Sequence, residues 1–294
     1  MVLKHYTQRS LFSNFKNIWL RTRALYHYFT APSTDSSPEP PEDYSLVFSD
    51  DFKTIDDTVW RWGQPWGNFH SEQLWWYWPT KGETPTDICY ASDEGLALEL
   101  RKYPKEFKRA DLPEWRRGAV PEEWTSPMAA GLLCTKKGFK YGWIEAEVKL
   151  PIEKAQWSAF WLAGRDTWPP EIDIFEAYTD DDVDKIKVKP NIHWGLNGNG
   201  IKKDWGAPRI ALADPHKRFI KYACHWTPDF IRIYYDGILV TECVIDGALE
   251  QNAQHQHIIL NHGCKDPLKK GVEPLESTMI VRNLKVYQHK NWID

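Results

Sequence analysis

The segment Glu171-Ile172-Asp173-Ile174-Phe175-Glu176 sets three carboxyl side chains among β-branched and aromatic residues, a composition that favours a strand. Side chains alternate along a strand, so Glu171 and Asp173 share one face while Ile172 and Ile174 share the other. Strict alternation would carry Phe175 to the acidic face and turn Glu176 into the core. One extra residue, a β-bulge that absorbs Phe175, reverses this and returns Glu176 to the other two acids. Carboxylates crowded on one face repel, and at least one of them then holds its proton more tightly. Such a pair suits cleavage of a glycosidic bond: one carboxylate attacks the sugar carbon, and the other, still protonated, gives its proton to the leaving oxygen. The same six residues are also compatible with a solvated edge strand whose acids point to water.

The elements that would position this face are short strands. From Tyr44 onward, Leu46-Val47-Phe48, Leu96 to Leu100, Trp143 to Leu150 and Phe230 to Tyr235 alternate or run apolar over strand length. Turn residues such as Asp93-Glu94-Gly95 and Asp236-Gly237 separate them, and Asp-Gly between two such runs is a hairpin signal. Many short strands without a long helical period predict an all-β sandwich over residues 44–294. The stretch Pro104 to Pro127, with Pro113, Trp115, Pro121 and Trp124, reads as a long loop rimming a site. Residues 1–30 stand apart as a basic arm with Lys4, Arg9, Lys16, Arg21 and Arg23 and no acid. Phe12, Phe15, Trp19 and Leu20 recur there at roughly helical spacing. A helix docked on its own domain accounts for this arm, a helix lying on a membrane surface being the alternative. Residues 31–43 (APSTDSSPEPPED) form a Pro/Ser/acid linker.

Composition narrows the partners. The 17 Trp and 13 Tyr are unusually many; most of the Trp suit the core of a wide sandwich, and aromatic faces also stack on the axial C–H groups of sugars. Net charge is −4 without a broad basic patch, which argues against nucleic acid. No run approaches the roughly 20 apolar residues of a membrane span. No secretory leader with an apolar region of about 7–15 residues is visible, so localisation stays open. The five cysteines, Cys89, Cys134, Cys224, Cys243 and Cys264, show no CxxC spacing and require neither zinc nor a disulfide framework.

From about Ser45 to Gln288 the chain resembles the glycoside hydrolase family 16 enzymes. The resemblance is carried by an ordered series: Leu46 to Phe52, Trp66-Gly67-Asn68 with Glu72 and Tyr77, Tyr141 to Pro151, Trp157 to Leu162, and the hexapeptide in its bulged form. Asn191 to Gly195, Tyr222 to Pro228, Ile259-Leu260-Asn261 and Met279 to Tyr287 follow in the family's order. The resemblance implies a concanavalin A-like β-jelly-roll and a retaining endo-glycanase acting on a polysaccharide or oligosaccharide, above all a β-1,3-glucan. It implies Glu171 as nucleophile, Glu176 as acid/base, and Asp173 between them as a hydrogen-bond partner of the nucleophile. Trp157 and Trp161 would line the cleft, His193 would stand beside the acid/base, and Asn68 and Asn261 would bind sugar hydroxyls.

Two departures bear on this. Many members carry an Arg where this chain has Leu132, which cannot bind a hydroxyl or an acidic substituent. Many also hold a structural calcium through an Asp near the C-terminus, where Arg282 stands here and would repel the ion. No metal or other cofactor is therefore expected, and the Asp180-Asp181-Asp182 run with Asp184 lacks the spacing of a calcium loop. An enzyme for another glycan (agarose-like galactan, bacterial capsule or exopolysaccharide), a transglycosylase and a non-catalytic carbohydrate-binding module remain as alternatives. The sequence leaves the oligomeric state open.

Overall fold

The computed structural model describes residues 38–63, 69–70, 75–78, 88–111, 122–164, 168–179, 186–195, 202–206, 210–212, 214–245, 254–264 and 275–293. The basic arm, most of the linker, Trp66, Gly67, Asn68, Glu72 and the Asp180–Asp184 run lie outside the described residues. β1 (Tyr44–Asp50), β2 (Trp60–Trp62), β3 (Phe69–His70), β4 (Trp75–Trp78) and β5 (Cys89–Ser92) lead into two long strands, β6 (Gly95–Lys108) and β7 (Glu123–Thr135). Next come β8 (Gly142–Lys149), β9 (Gln156–Gly164), β10 (Glu171–Tyr178), β11 (Lys187–Gly195), β12 (Lys202–Gly206) and β13 (Ile210–Ala211). β14 (Ile220–Trp226), β15 (Phe230–Tyr235), β16 (Ile238–Val244), β17 (Gln256–Cys264) and β18 (Ser277–His289) complete the order.

Pairing sorts the strands into two layers. One runs β16–β15–β14–β8–β18, with β6 and β1 along the other side of β18. The second runs β7–β17–β9–β10–β11 and continues into β12 and β13. β6 serves both, because residues 96–100 pair with β18 and residues 100–108 pair with β7. The layers close on one core, in which Ile172, Ile174 and Phe175 of β10 meet Tyr222, Cys224 and Trp226 of β14 and Ile231 and Ile233 of β15. The Phe175 ring lies 4.3 Å from that of Tyr222, and the Tyr235 hydroxyl donates to the Ile174 carbonyl at 2.9 Å. Each such buried aromatic or aliphatic side chain contributes about 1.5–3 kcal/mol through loss of water contact. This is the all-β sandwich that the strand pattern predicts.

Local chemistry explains the details. Asp236 and Gly237 have φ of 51° and 81°, the paired positive values of a type I′ turn, and they connect β15 to β16 as the hairpin signal requires. The segment Pro104 to Pro127 departs from its reading as a loop. β6 continues through Lys108 and β7 begins at Glu123, with Lys105 opposite Ser126 and Lys108 opposite Glu123. Pro104 falls in the irregular step between Lys102 and Lys105, a place where a residue without an N–H is tolerated in a sheet. Only the stretch 112–121 between these strands lies outside the described residues.

Within β10, Asp173 and Glu176 lie three residues apart but pair with Asn191 and Lys189, which lie two apart. This is the bulge. Deleting Phe175 should leave the acids at every second position and preserve both faces of the strand. The expected product is a folded protein with about 3–5 kcal/mol less stability, close to Phe175→Ala, as read by denaturant titration. A deletion that unfolds the chain while Phe175→Ala stays folded would refute this account of the register.

Candidate active site

β10 presents two chemically distinct faces. Ile172, Ile174, Phe175 and Ala177 are buried in the core, while Glu171, Glu176 and Tyr178 are partly exposed on the opposite face and Asp173 lies buried between them. On the β9 side the register passes from Asp173–Trp161 to Phe175–Phe160, so the residue passed over is Ile174 rather than Phe175. Both side chains enter the core, and the consequence for Glu176 is the one expected.

Each end of the acidic row has its own support. The Trp168 indole N–H donates to Glu171 Oε2 at 2.8 Å. His193 Nε2 stands 3.5 Å from Glu171 Oε1 and 3.5 Å from Asp173 Oδ2. At the other end the Tyr178 hydroxyl donates to Glu176 Oε1 at 2.6 Å, and the Tyr178 ring stacks on Trp157 with centroids 5.7 Å apart and an interplanar angle of 22°. Burial pushes the Glu171 carboxyl up to about 8, with the charges of Asp173 and Glu176 acting in the same direction and His193 and the indole bond opposing them. The unliganded face thus retains a proton at its Glu171 end near neutral pH.

The other expected site residues fall as follows. Trp157 and Trp161 share the cleft face of β9 and pack against a second apolar cluster that contains Leu132, Cys134 and Ile259. The Trp161 indole donates to Asn261 Oδ1 at 2.7 Å; Asn261 is buried, so in this structure it orients an indole as well as facing the site. His193 pairs in register with Glu171, whereas the residue opposite Glu176 is Lys189. The ring therefore stands beside the expected nucleophile and not beside the acid/base. Asn68 lies outside the described residues. Arg282 forms an ion pair with Glu147 at 2.6 Å and lies 3.8 Å over the Phe219 ring.

Sequence reasoning missed Trp168, Tyr178, Asn191 and Lys189. Tyr178 was within reach, since it follows Glu176 by two residues on an alternating strand. Trp168 is half exposed and just precedes the hexapeptide, but nothing in its spacing marks its bond to Glu171. Asn191, whose Nδ2 lies 2.8 Å from His193 Nε2, and Lys189 become visible only through the register of β11. Donor atoms of Glu171, Asp173 and His193 all lie within 4.8 Å of one another. They could gather a cation, which would take carboxylate oxygens of Glu171 and Asp173.

A paired acidic row flanked by indole rings is the arrangement of a carbohydrate-cleaving cleft, and comparison with known proteins agrees. Residues 80–258 match the family model described as glycosyl hydrolases family 16. The chain belongs to this family. A curated relative, endo-1,3-1,4-beta-glycanase EglC of Rhizobium meliloti (strain 1021), is 26% identical over 209 residues, which are 66% of this chain and 41% of EglC. The chain thus matches less than half the length of that relative. Among solved structures, the catalytic domain of an endo-1,3-beta-glucanase (laminarinase) from Thermotoga petrophila RKU-1 aligns with TM-score 0.60 at 25% identity, covering 85% of this chain and 100% of that one. LamAcat from Zobellia galactanivorans shares the fold, with TM-score 0.65 at 22% identity over 83% of this chain and 98% of that one. Family 16 membership accounts for the jelly-roll sandwich and for the bulged acidic strand together.

A raised carboxyl affects stability with a definite sign. Because the folded-state value of Glu171 lies above its ordinary 4.5 and reaches about 8, its favourable contribution is complete below about pH 4.5 and is lost as pH rises through 8. Glu171→Gln, neutral at every pH, should therefore melt higher than the parent protein at pH 8–9 and gain little at pH 4. Melting curves across that range check this; an advantage independent of pH would contradict it.

Proposed function

We propose that this chain is a retaining endo-glycosidase that hydrolyses a β-linked glucan, with β-1,3-glucan as its principal substrate. The single observation that carries the reading is the acidic row of β10. Three carboxyl groups share one face, each outer one has a separate hydrogen-bond donor, and the row is flanked by Trp157, Trp161 and Trp168. Two of the relatives, the endo-1,3-1,4-beta-glycanase EglC and the endo-1,3-beta-glucanase (laminarinase) of Thermotoga petrophila, are endo-acting enzymes of β-linked glycans, which supports the substrate class.

In this reading Glu171 attacks the anomeric carbon. The Trp168 bond holds Oε2 and leaves Oε1, on the His193 side, as the attacking oxygen. Glu176 gives its proton to the leaving oxygen and then withdraws one from the water that opens the glycosyl-enzyme intermediate. Tyr178 fixes Glu176 Oε1, so the other oxygen carries the transferable proton. Attack requires the proton that Glu171 holds in the unliganded site to pass along the acidic row to Glu176, which then donates it to the leaving oxygen, while Asp173 stands beside the ionised nucleophile. Trp161, oriented by Asn261, provides a face on which a sugar ring stacks.

The assignment separates the two glutamates experimentally. Glu171→Ser should lose at least about 10³-fold in hydrolysis of laminarin, and azide should restore turnover by forming the glycosyl azide of inverted configuration. Glu176→Gln should fail on laminarin yet release an activated aryl leaving group in a burst, since no proton is then needed for the first step. Near-parental turnover of laminarin by either variant would overturn the assignment.

A further inference from the structure

The two flanks of the acidic row differ in charge. On the β9–β17 side the cleft face carries Trp157, Trp161 and Asn261. On the β11 side the same face carries Lys187 opposite Tyr178, Lys189 opposite Glu176, Asn191 opposite Asp173 and His193 opposite Glu171. The alternation Val188 buried, Lys189 partly buried, Ile192 buried and His193 partly buried confirms that both lysines face the cleft. Paired residues in adjacent strands have Cβ atoms about 4.5–5.5 Å apart, so Lys189 stands next to the carboxyl that faces the leaving oxygen. Among the described residues Lys189 closes no ion pair, and it does not lie within salt-bridge distance of Glu176. Trp161 and Lys189 lie on strands two apart, about 10 Å, which a chain of two sugars crossing the row would span.

We propose that Lys189 forms a subsite for an anionic substituent on the sugar next to the scissile bond, so that the preferred substrate is an acid-bearing β-glucan rather than a neutral one. This rests on the hydrolase reading and narrows its substrate class. The flank that stacks rings against Trp161 recognises the apolar face common to all such sugars. The β11 flank adds a charge-assisted hydrogen bond from the ammonium to a carboxylate or sulfate oxygen. Such a bond is stronger than one to a neutral hydroxyl and decides between substrates that stack equally well. Leu132, on the β7 side, is buried in an apolar cluster and offers no competing charge.

Two measurements test this. Steady-state kinetics on neutral laminarin, C6-oxidised laminarin and partly sulfated laminarin give the anionic-to-neutral ratio of kcat/KM for the parent, Lys189→Met and Lys189→Arg. The parent ratio should exceed one at low salt for at least one anionic substrate and shrink with added salt. Whichever ratio is raised names carboxylate or sulfate as the group bound. Lys189→Met should lower that ratio about tenfold, as one charge-assisted bond would give, and Lys189→Arg should restore most of it. A parent ratio below one for both, or a ratio unchanged in Lys189→Met, overturns the proposal while leaving the hydrolase reading intact. The second measurement needs no turnover. Calorimetric binding of laminaritetraose and its oxidised and sulfated forms to Glu171→Gln, with and without Lys189→Met, should show tighter anionic binding that depends on Lys189. If the parent cleaves none of the three polymers the hydrolase reading fails, and this binding difference alone then decides whether the cationic subsite exists.

Discussion

The repulsion between Glu171 and Asp173, held on one face of β10 and largely out of water, shapes the surroundings of that strand. Two acids held this close on one strand face carry an electrostatic cost that the fold offsets locally. An indole N–H, an imidazole and a phenol hydroxyl are directed at the row from Trp168, His193 and Tyr178. These partners lower the cost of burying charge without cancelling it, because the Glu171 carboxyl still holds its proton to about pH 8. A site whose carboxyl is held away from its ordinary range is ready to respond when a ligand displaces water and redistributes the proton.

The bulge solves a geometric problem that the acids alone pose. Two residues, Ile174 and Phe175, separate Asp173 from Glu176, and an unbulged strand would bury one acid or expose one aromatic ring. Letting both side chains enter the core keeps Glu176 in the row and adds the Phe175 ring to the contact with Tyr222. The irregularity thus serves packing and chemistry together, which is why a local departure from the ladder persists in the middle of a sheet.

Sequence made this part of the site legible because it depends on local rules. Alternation, the polarity of six residues and the Asp236-Gly237 turn are short-range signals, and each reappears in the structure. What sequence reasoning lost depends on which strand lies beside which. Lys189 faces Glu176 because β11 pairs with β10 in one register, and a shift of one residue would have put Val188 there instead. The same register sets His193 opposite Glu171 rather than Glu176. The prolines of the Pro104–Pro127 stretch argue against strands, yet a proline in an irregular step between two long strands does not interrupt pairing on either side.

The stability of the site comes from the opposite face of the strand that carries it. Ile172, Ile174, Phe175 and Ala177 are buried side by side behind the acids, and the Tyr235 hydroxyl ties the backbone at Ile174 to the second layer. That anchoring carries no charge and is therefore insensitive to the protonation of the row in front of it. Charge on the cleft face can then change during a catalytic cycle while the backbone positions of Glu171 and Glu176 stay fixed by contacts that do not titrate. On β11 the same alternation carries Val188 and Ile192 into the core and leaves Lys189 and His193 in the cleft. Two adjacent strands therefore present titratable and charged groups from a common apolar base, and their relative positions are set by sheet register rather than by the attractions among the charges themselves.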